Sequence, residues 1–174
     1  MIPIKIDPSA NVKQLLLYVS EDDGQSYQHV LSAAPTEKAF RFHAGRDGHY
    51  WFKVVVEGAD GRYVPPDVNQ MQPGLKVCVD TRPPEVKFDA RQQPDGSVTV
   101  TWDVHDANLD LPTLRLQYRP AGEKEWNPLP IERATTGRHT WKAPAVADLE
   151  VRLRVSDLAG NSTDKTVKVT PLEK

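Results

Sequence analysis

The chain has one cysteine in 174 residues, so no disulfide can close within it, and any core it builds must stand on apolar burial alone. Without a Cys-x-x-Cys pair or a Cys/His cluster, it carries no zinc motif. It also lacks a charge bias: 22 basic against 24 acidic residues leave a net charge of −2, with no stripe to draw nucleic acid or an anionic membrane surface. Long hydrophobic runs are missing. Leu15 to Val19, and Tyr50 to Val56 with Lys53 inside, fall far short of the roughly 20 residues a membrane helix needs. The opening Met1-Ile-Pro-Ile-Lys-Ile reads directly as a strand, without the segments of a signal peptide. There is no Gly-x-Ser-x-Gly elbow and no glycine-rich phosphate loop leading into a helix. The five histidines, His29, His43, His49, His105 and His139, form no ligand-spaced pair, and Cys78 falls on a strand and not at a helix N-terminus that would activate it. No catalytic residue, cofactor or bound metal is expected.

What is present is an internal echo. Leu15 to Arg62 aligns without a gap with Leu114 to Asn161. Leu15, Leu17 and Val19 meet Leu114, Leu116 and Tyr118; Tyr27 meets Trp126; Phe40 and Phe42 meet His139 and Trp141. Tyr50, Phe52, Val54 and Val56 meet Leu149, Val151, Leu153 and Val155, and Gly61 meets Gly160. The matched positions are alternating apolar residues and turn glycines, which build scaffold and not chemistry. Period-2 alternation runs throughout, and fifteen prolines suit strand ends and edges better than helices. In the second half the pattern predicts strands at Glu85 to Arg91, Ser97 to Val104, Thr113 to Arg119, Leu129 to Ile131, Arg138 to Lys142, Leu149 to Ser156 and Lys165 to Thr170. That spacing points to an immunoglobulin-like sandwich. The first half repeats the plan from its second strand, Ile2 to Ile6, onward, so an open edge or a segment from a longer chain is expected there. The expected fold is all-β: two tandem immunoglobulin-like β-sandwiches, residues 1–80 and 81–174, the first lacking its initial strand and joined to the second through Asp80-Thr81-Arg82-Pro83-Pro84.

The second half resembles a fibronectin type III or related bacterial immunoglobulin-like repeat. Ser97 to Trp102 looks like that family's second strand with its buried tryptophan, Leu116 to Arg119 followed by Trp126 like its third, and Val151 to Asn161 like its sixth strand and turn. The family's corner tyrosine aligns with Leu149 here and with Tyr50 in the first half. The resemblance implies a non-catalytic structural or protein-interaction module of a larger bacterial protein. It also implies an extracytoplasmic location, in the cell envelope or secreted, and partners that are other domains of a parent protein or another protein surface. Ser20 to Tyr27 is similar to the Asp-box hairpin of sialidase-type propellers, where the motif is a turn.

Alternation also marks a candidate contact face. With Leu15, Leu17 and Val19 pointing inward, Leu16, Tyr18, Trp51, Lys53 and Val55 point outward side by side. Their counterparts in the second half are Arg115, Gln117, Glu150, Arg152 and Arg154. One half thus carries an apolar outer face where its twin is polar, and something should cover it. Three coverings fit: the chain itself, through the loop Arg62 to Gly74 or the second half folding back, another protein surface, or a sugar stacked on Trp51 and Tyr18. That loop, with Tyr63, Val64, Asn69 and Met71, replaces a short turn at Asn161 to Asp164 and is the second candidate binding element. Asp106, Asn108 and Asp110 begin like a calcium loop but lack its glycine and its bidentate glutamate, so a calcium-dependent adhesive repeat stands only as an alternative, beside a carbohydrate-binding module.

Overall fold

The computed structural model describes residues 1–6, 11–143 and 148–170. The chain divides into two compact units, Met1–Asp80 and Thr81–Lys174. In the first, the strands are β1 (Ile2–Pro3), β2 (Val12–Ser20), β3 (Gln28–Ala33), β4 (Ala39–Phe40), β5 (Gly48–Gly58), β6 (Tyr63–Val64) and β7 (Leu75–Val79), with a 3-10 turn at Val68–Gln70. The large sheet runs β3-β2-β5-β6, with β7 also pairing β5; the small one is β1-β4. Alternation sets the core. Leu15, Leu17 and Val19 of β2 and Tyr50 and Phe52 of β5 meet Ile2 and Phe40 from the small sheet. The strand expected at Ile2 to Ile6 is only Ile2–Pro3, because Pro3 has no N–H to donate and the partner β4 offers two residues; Ile4 N–H still reaches the Lys38 carbonyl at 2.9 Å.

The second unit holds β8 (Glu85–Gln92), β9 (Ser97–His105), β10 (Leu109–Pro120), β11 (Asn127–Leu129), β12 (Thr136–Lys142), β13 (Leu149–Asp157) and β14 (Ser162–Val169). They form the antiparallel sheets β12-β9-β8 and β11-β10-β13-β14, the two layers of a sandwich. Val98, Val100, Trp102 and Val104 of β9 face Leu114 and Leu116 of β10 and Val151, Leu153 and Val155 of β13. The weak strand placed at Leu129 to Ile131 lies earlier, at Asn127–Leu129, where it pairs with Leu116 to Tyr118. β10 begins earlier than expected, at Leu109, and absorbs the irregularity as a register shift between Asp110 and Arg115. β12 starts at Thr136 and so takes in Gly137, whose lack of a side chain leaves room for the Trp102 ring.

The echo in the sequence is an echo in hydrogen bonding. After β5, Gly58 N–H donates to Arg62 O at 2.8 Å and Gly61 N–H to Gly58 O at 3.0 Å; after β13, Asp157 N–H donates to Asn161 O at 3.0 Å and Gly160 N–H to Asp157 O at 3.3 Å. Gly61 and Gly160 sit at φ 77° and 94°, where a side chain would be strained. The turns therefore match, and the pairing beyond them matches too: Val56 faces Val64 as Val155 faces Thr163. The difference comes next. In the second unit the last strand runs on unbroken as β14. In the first it stops after Val64 and resumes at Leu75 as β7, which pairs with Gly48 to Phe52. The loop expected between Arg62 and Gly74 is therefore an insertion within the last strand, not a longer turn.

Candidate contact face and strap

On β5 the outward residues are Trp51, Lys53, Val55 and Glu57, flanked on β2 by Leu16 and Tyr18 opposite Val55 and Lys53. None of these belongs to the interior cluster of the first unit. Outward does not mean open here: Leu16 is 7% exposed, Lys53 4% and Val55 4%, while Tyr18 and Trp51 are half-buried. Of the five residues of the candidate face, then, three are closed off from any partner and two remain partly accessible.

The segment from Arg62 to Gly74 forms a strap that is tied to β5 at two points. Lys53 Nζ donates to the Val68 carbonyl at 3.0 Å and lies 3.6 Å from the centre of the Tyr27 ring. Its far end is tied by Gly74 N–H to the Phe52 carbonyl at 2.9 Å. Between them a 3-10 turn is capped by Asp67, whose carboxylate accepts from Asn69 N–H at 2.8 Å. Burial pushes the Lys53 pKa down, and the Asp67 charge pulls partly against that. Trp51 is closed separately, with Lys76 Nζ 3.3 Å from its ring centre. A β-carbon on Gly24 would come within 2.5 Å of Trp51 Cζ3, so the hairpin glycine is also a seat for the indole. Glu57 completes the row, accepting from Lys13 Nζ at 2.7 Å and Gln14 Nε2 at 2.5 Å, bonds that hold its carboxyl below the usual range. Of the four loop residues singled out in the sequence, Tyr63, Val64 and Asn69 are exposed and Met71 is half-buried.

The second unit carries charge on the equivalent face. Trp126 lies under two guanidinium groups, Arg119 at 4.3 Å and Arg152 at 4.1 Å, and Arg119 in turn pairs with Glu150 at 2.6 Å. Trp126 and Arg152 are the repeat counterparts of Tyr27 and Lys53, so the same cation-over-ring contact recurs in both units. Sequence reasoning paired Tyr27 with Trp126 but missed the cation, which sits on another strand; the joint change Tyr/Lys to Trp/Arg was the signal available.

Several other polar groups are committed to turns. Asp22 in the hairpin after β2 accepts from Ser20 Oγ at 2.7 Å, Ser26 N–H at 2.9 Å and Ser26 Oγ at 2.6 Å. The Ser26 hydroxyl, then that of Ser20, then the Ser26 amide hold its pKa at about 2. A carboxyl lowered in the folded state stabilises it above the unfolded pKa and loses that contribution as pH falls. The hairpin's share is therefore expected to be constant from neutrality to about pH 4 and to vanish toward pH 2. Carboxyl-detected NMR titration should find Asp22 titrating near pH 2, and a midpoint near 4 would contradict these bonds. Tyr50, at the corner position of the resembled family, donates from its hydroxyl to the Arg46 carbonyl at 2.8 Å. Of the calcium-like triplet, Asp106 Oδ1 accepts from Asn108 N–H at 2.7 Å in a local turn, and Asp110 lies in the ladder opposite Ser156. Asp106 does approach the buried Asp157, with carboxylate oxygens within 4.8 Å. Burial pushes the Asp157 pKa up, but bonds from the Asn161 side chain and the Asn161, Gly160 and Ala159 amides outweigh it and leave it low.

Among the described residues, no helix is long and apolar enough to cross a membrane. No protein-family model matches the chain, and no curated protein matches it. Among solved structures it is similar to the fibronectin(III)-like modules of Clostridium thermocellum CbhA, at 18% identity over 95% of this chain and 81% of that one, with a TM-score of 0.44.

Proposed function

We propose that the chain is a non-catalytic structural module that spaces or docks neighbouring domains of a larger bacterial extracytoplasmic protein. The observation that carries this reading is where the polar groups go. Asp22, Tyr50, Glu57, Asp67 and Asp157 each hold a turn, a strand pair or a cap, and on each outer face a cation of the chain itself lies over an aromatic ring. A side chain spent on scaffold is not poised for proton transfer or nucleophilic attack. Contact with a partner would run through the strap, where Tyr63 and Val64 are 50% and 63% exposed, and the accessible parts of Tyr18 and Trp51.

A photo-crosslinking residue at Tyr63 in the parent protein tests this. The expected result is an adduct to a neighbouring domain or protein that an equivalent probe at Gln117, on the polar outer face of the second unit, does not form. Adducts at both positions, or at neither, would remove the strap as the contact element. Two other functions are separable from this one. A carbohydrate-binding module would change its tryptophan fluorescence across a glycan panel, and Lys76 already lies over the Trp51 ring. A calcium-dependent repeat would melt higher with calcium than with chelator, by mass action on the Asp106 and Asp157 carboxylates.

The strap itself has a direct prediction. Lys53→Met keeps the bulk but removes the bond to the Val68 carbonyl and the charge over Tyr27. A cost of about 1–2 kcal/mol is expected. Hydrogen exchange should quicken across residues 65–74 while β2 and β5 stay protected; unchanged exchange there would show that Lys53 does not hold the strap.

A further inference from the structure

We infer that Arg115 and Arg133 form an oxyanion site on the second unit, one that takes a doubly charged tetrahedral group such as phosphate or sulfate. Arg115 leaves β10, and Arg133 belongs to the segment between β11 and β12; both are exposed. Their guanidinium groups converge on one backbone oxygen. Arg115 Nη1 donates to the Leu114 carbonyl at 2.9 Å and Arg133 Nε to the same carbonyl at 3.2 Å. The two nitrogens therefore lie within about 6 Å of each other, where like charges repel. Arg115 Nη1 also donates to the Pro112 carbonyl at 2.5 Å, so the main chain itself holds the pair together.

No carboxylate offsets this pair. Among the described residues neither arginine makes an ion pair, and Glu132, the chain neighbour of Arg133, is exposed and joined to neither. The surroundings add cations. Arg154 on β13 stands directly opposite Arg115 in the ladder, and the carboxylate beside it, Asp164 at 3.7 Å, is shared with Arg152. Like charges opposed across paired strands cost stability, so this end of β10 carries positive charge that the chain itself leaves unbalanced. The donors a ligand needs are free. A guanidinium has five N–H groups; Arg115 spends two on carbonyls and Arg133 one, which leaves three and four. A carboxylate would offset one charge of the pair, whereas phosphate or sulfate offsets both and accepts from both forks. Anchored side chains also lose little freedom on binding. Two exposed arginines in water hold such an ion weakly, with a dissociation constant on the order of 1 mM.

Nitrogen-15 spectra of the arginine Nε–H groups test this, recorded on the whole chain as sodium sulfate or sodium phosphate is added, against sodium chloride at equal ionic strength. The Arg115 and Arg133 signals should shift and saturate with the dianions and stay in place with chloride. Arg115→Gln and Arg133→Gln, both at exposed positions, should each raise the dissociation constant about tenfold with unchanged circular dichroism, read from the arginine that remains. Arg91→Gln on β8, where the arginine is already paired with Asp89, should leave it unchanged. Acetate, which carries one charge, should bind more weakly than sulfate. Phenyl phosphate separates two sources of the group: tighter binding than inorganic phosphate marks a group carried on a larger molecule, and equal or weaker binding marks the free ion. Shifts no larger than those with chloride overturn the proposal. So does binding that survives both glutamines, that Arg91→Gln weakens equally, or that acetate matches.

Discussion

Gly137→Val is expected to lower the stability of the second unit by about 3–5 kcal/mol, a large share of what a domain of this size possesses. The reason is a contact that the glycine makes possible. Trp102 is 5% exposed in the core, and its six-membered ring lies where a β-carbon on Gly137 would be, in the strand paired directly beside it. The indole cannot swing aside cheaply, since its Nε1–H donates to the Ala134 carbonyl at 2.9 Å and displacement would strand that group. Gly137→Ala should cost less than valine and still more than an ordinary strand glycine, which usually gains from a side chain. A double-mutant cycle separates this from a general strand effect. In a Trp102→Leu background, which is itself costly, Gly137→Ala should be close to neutral in urea melts. If alanine costs the same in both backgrounds, the ring and the glycine are not in contact.

Leu17→Ala should be the most damaging single truncation in the first unit, at about 2–5 kcal/mol, or roughly 10–30 °C in Tm. Leu17 is fully buried in the centre of β2, between Val54 on one neighbouring strand and Leu31 on the other. Its repeat counterpart Leu116 is equally enclosed, between Leu129 and Leu153, with two broad sheets around it. The first unit is less evenly filled. Val54 and Val56, which point inward, are only half-buried, because the facing sheet is just the two short strands β1 and β4; the outward Lys53, Val55 and Glu57 are buried more deeply than they are. The same methylene loss therefore removes a larger fraction of that unit's stability. Hydrogen exchange read separately on peptides from β2 and from β10 should show Leu17→Ala unprotecting the first unit more than Leu116→Ala unprotects the second. Equal losses would mean that the half-buried inner valines do not weaken the unit.

These expectations show which parts of the molecule were legible in the sequence. Where period 2 is strict, as in Leu15 to Val19, Tyr50 to Phe52 and Leu149 to Val155, side-chain direction alone gave strand and facing, and each inward residue lies in a core cluster. Strand ends were less readable. Gly137 looked like loop because its reason for being glycine lies on the neighbouring strand, and Ile4 and Ile6 looked like strand because alternation carries no information about whether a partner is present. The outer face was half legible. Parity identified Leu16, Tyr18, Trp51, Lys53 and Val55 as outward and apolar compared with their twins, but not that Lys53 would bond the Val68 carbonyl of a segment inserted in the last strand. The sequence alignment places the extra residues after Arg62, and the shared strand pairing shows that they enter after Val64, two residues past it, inside a strand. The cation-over-ring contacts depend on distances between strands, which no single-strand pattern contains.

Trp51 and Lys53 lie on the outer face of the first unit, Trp51 against Lys76 and Gly24 and Lys53 bonded to the strap. A carbon-edited nuclear Overhauser spectrum tests it most directly, through the neighbours of Trp51 and Lys53. Cross-peaks are expected from the Trp51 indole to Gly24 and the Lys76 side chain, and from the Lys53 ε-methylene to the Tyr27 ring and Val68. Cross-peaks from Trp51 to Leu17 or Phe40, with none from Lys53 to Val68, would place the indole inside the sandwich and the strap in solvent, and would contradict it.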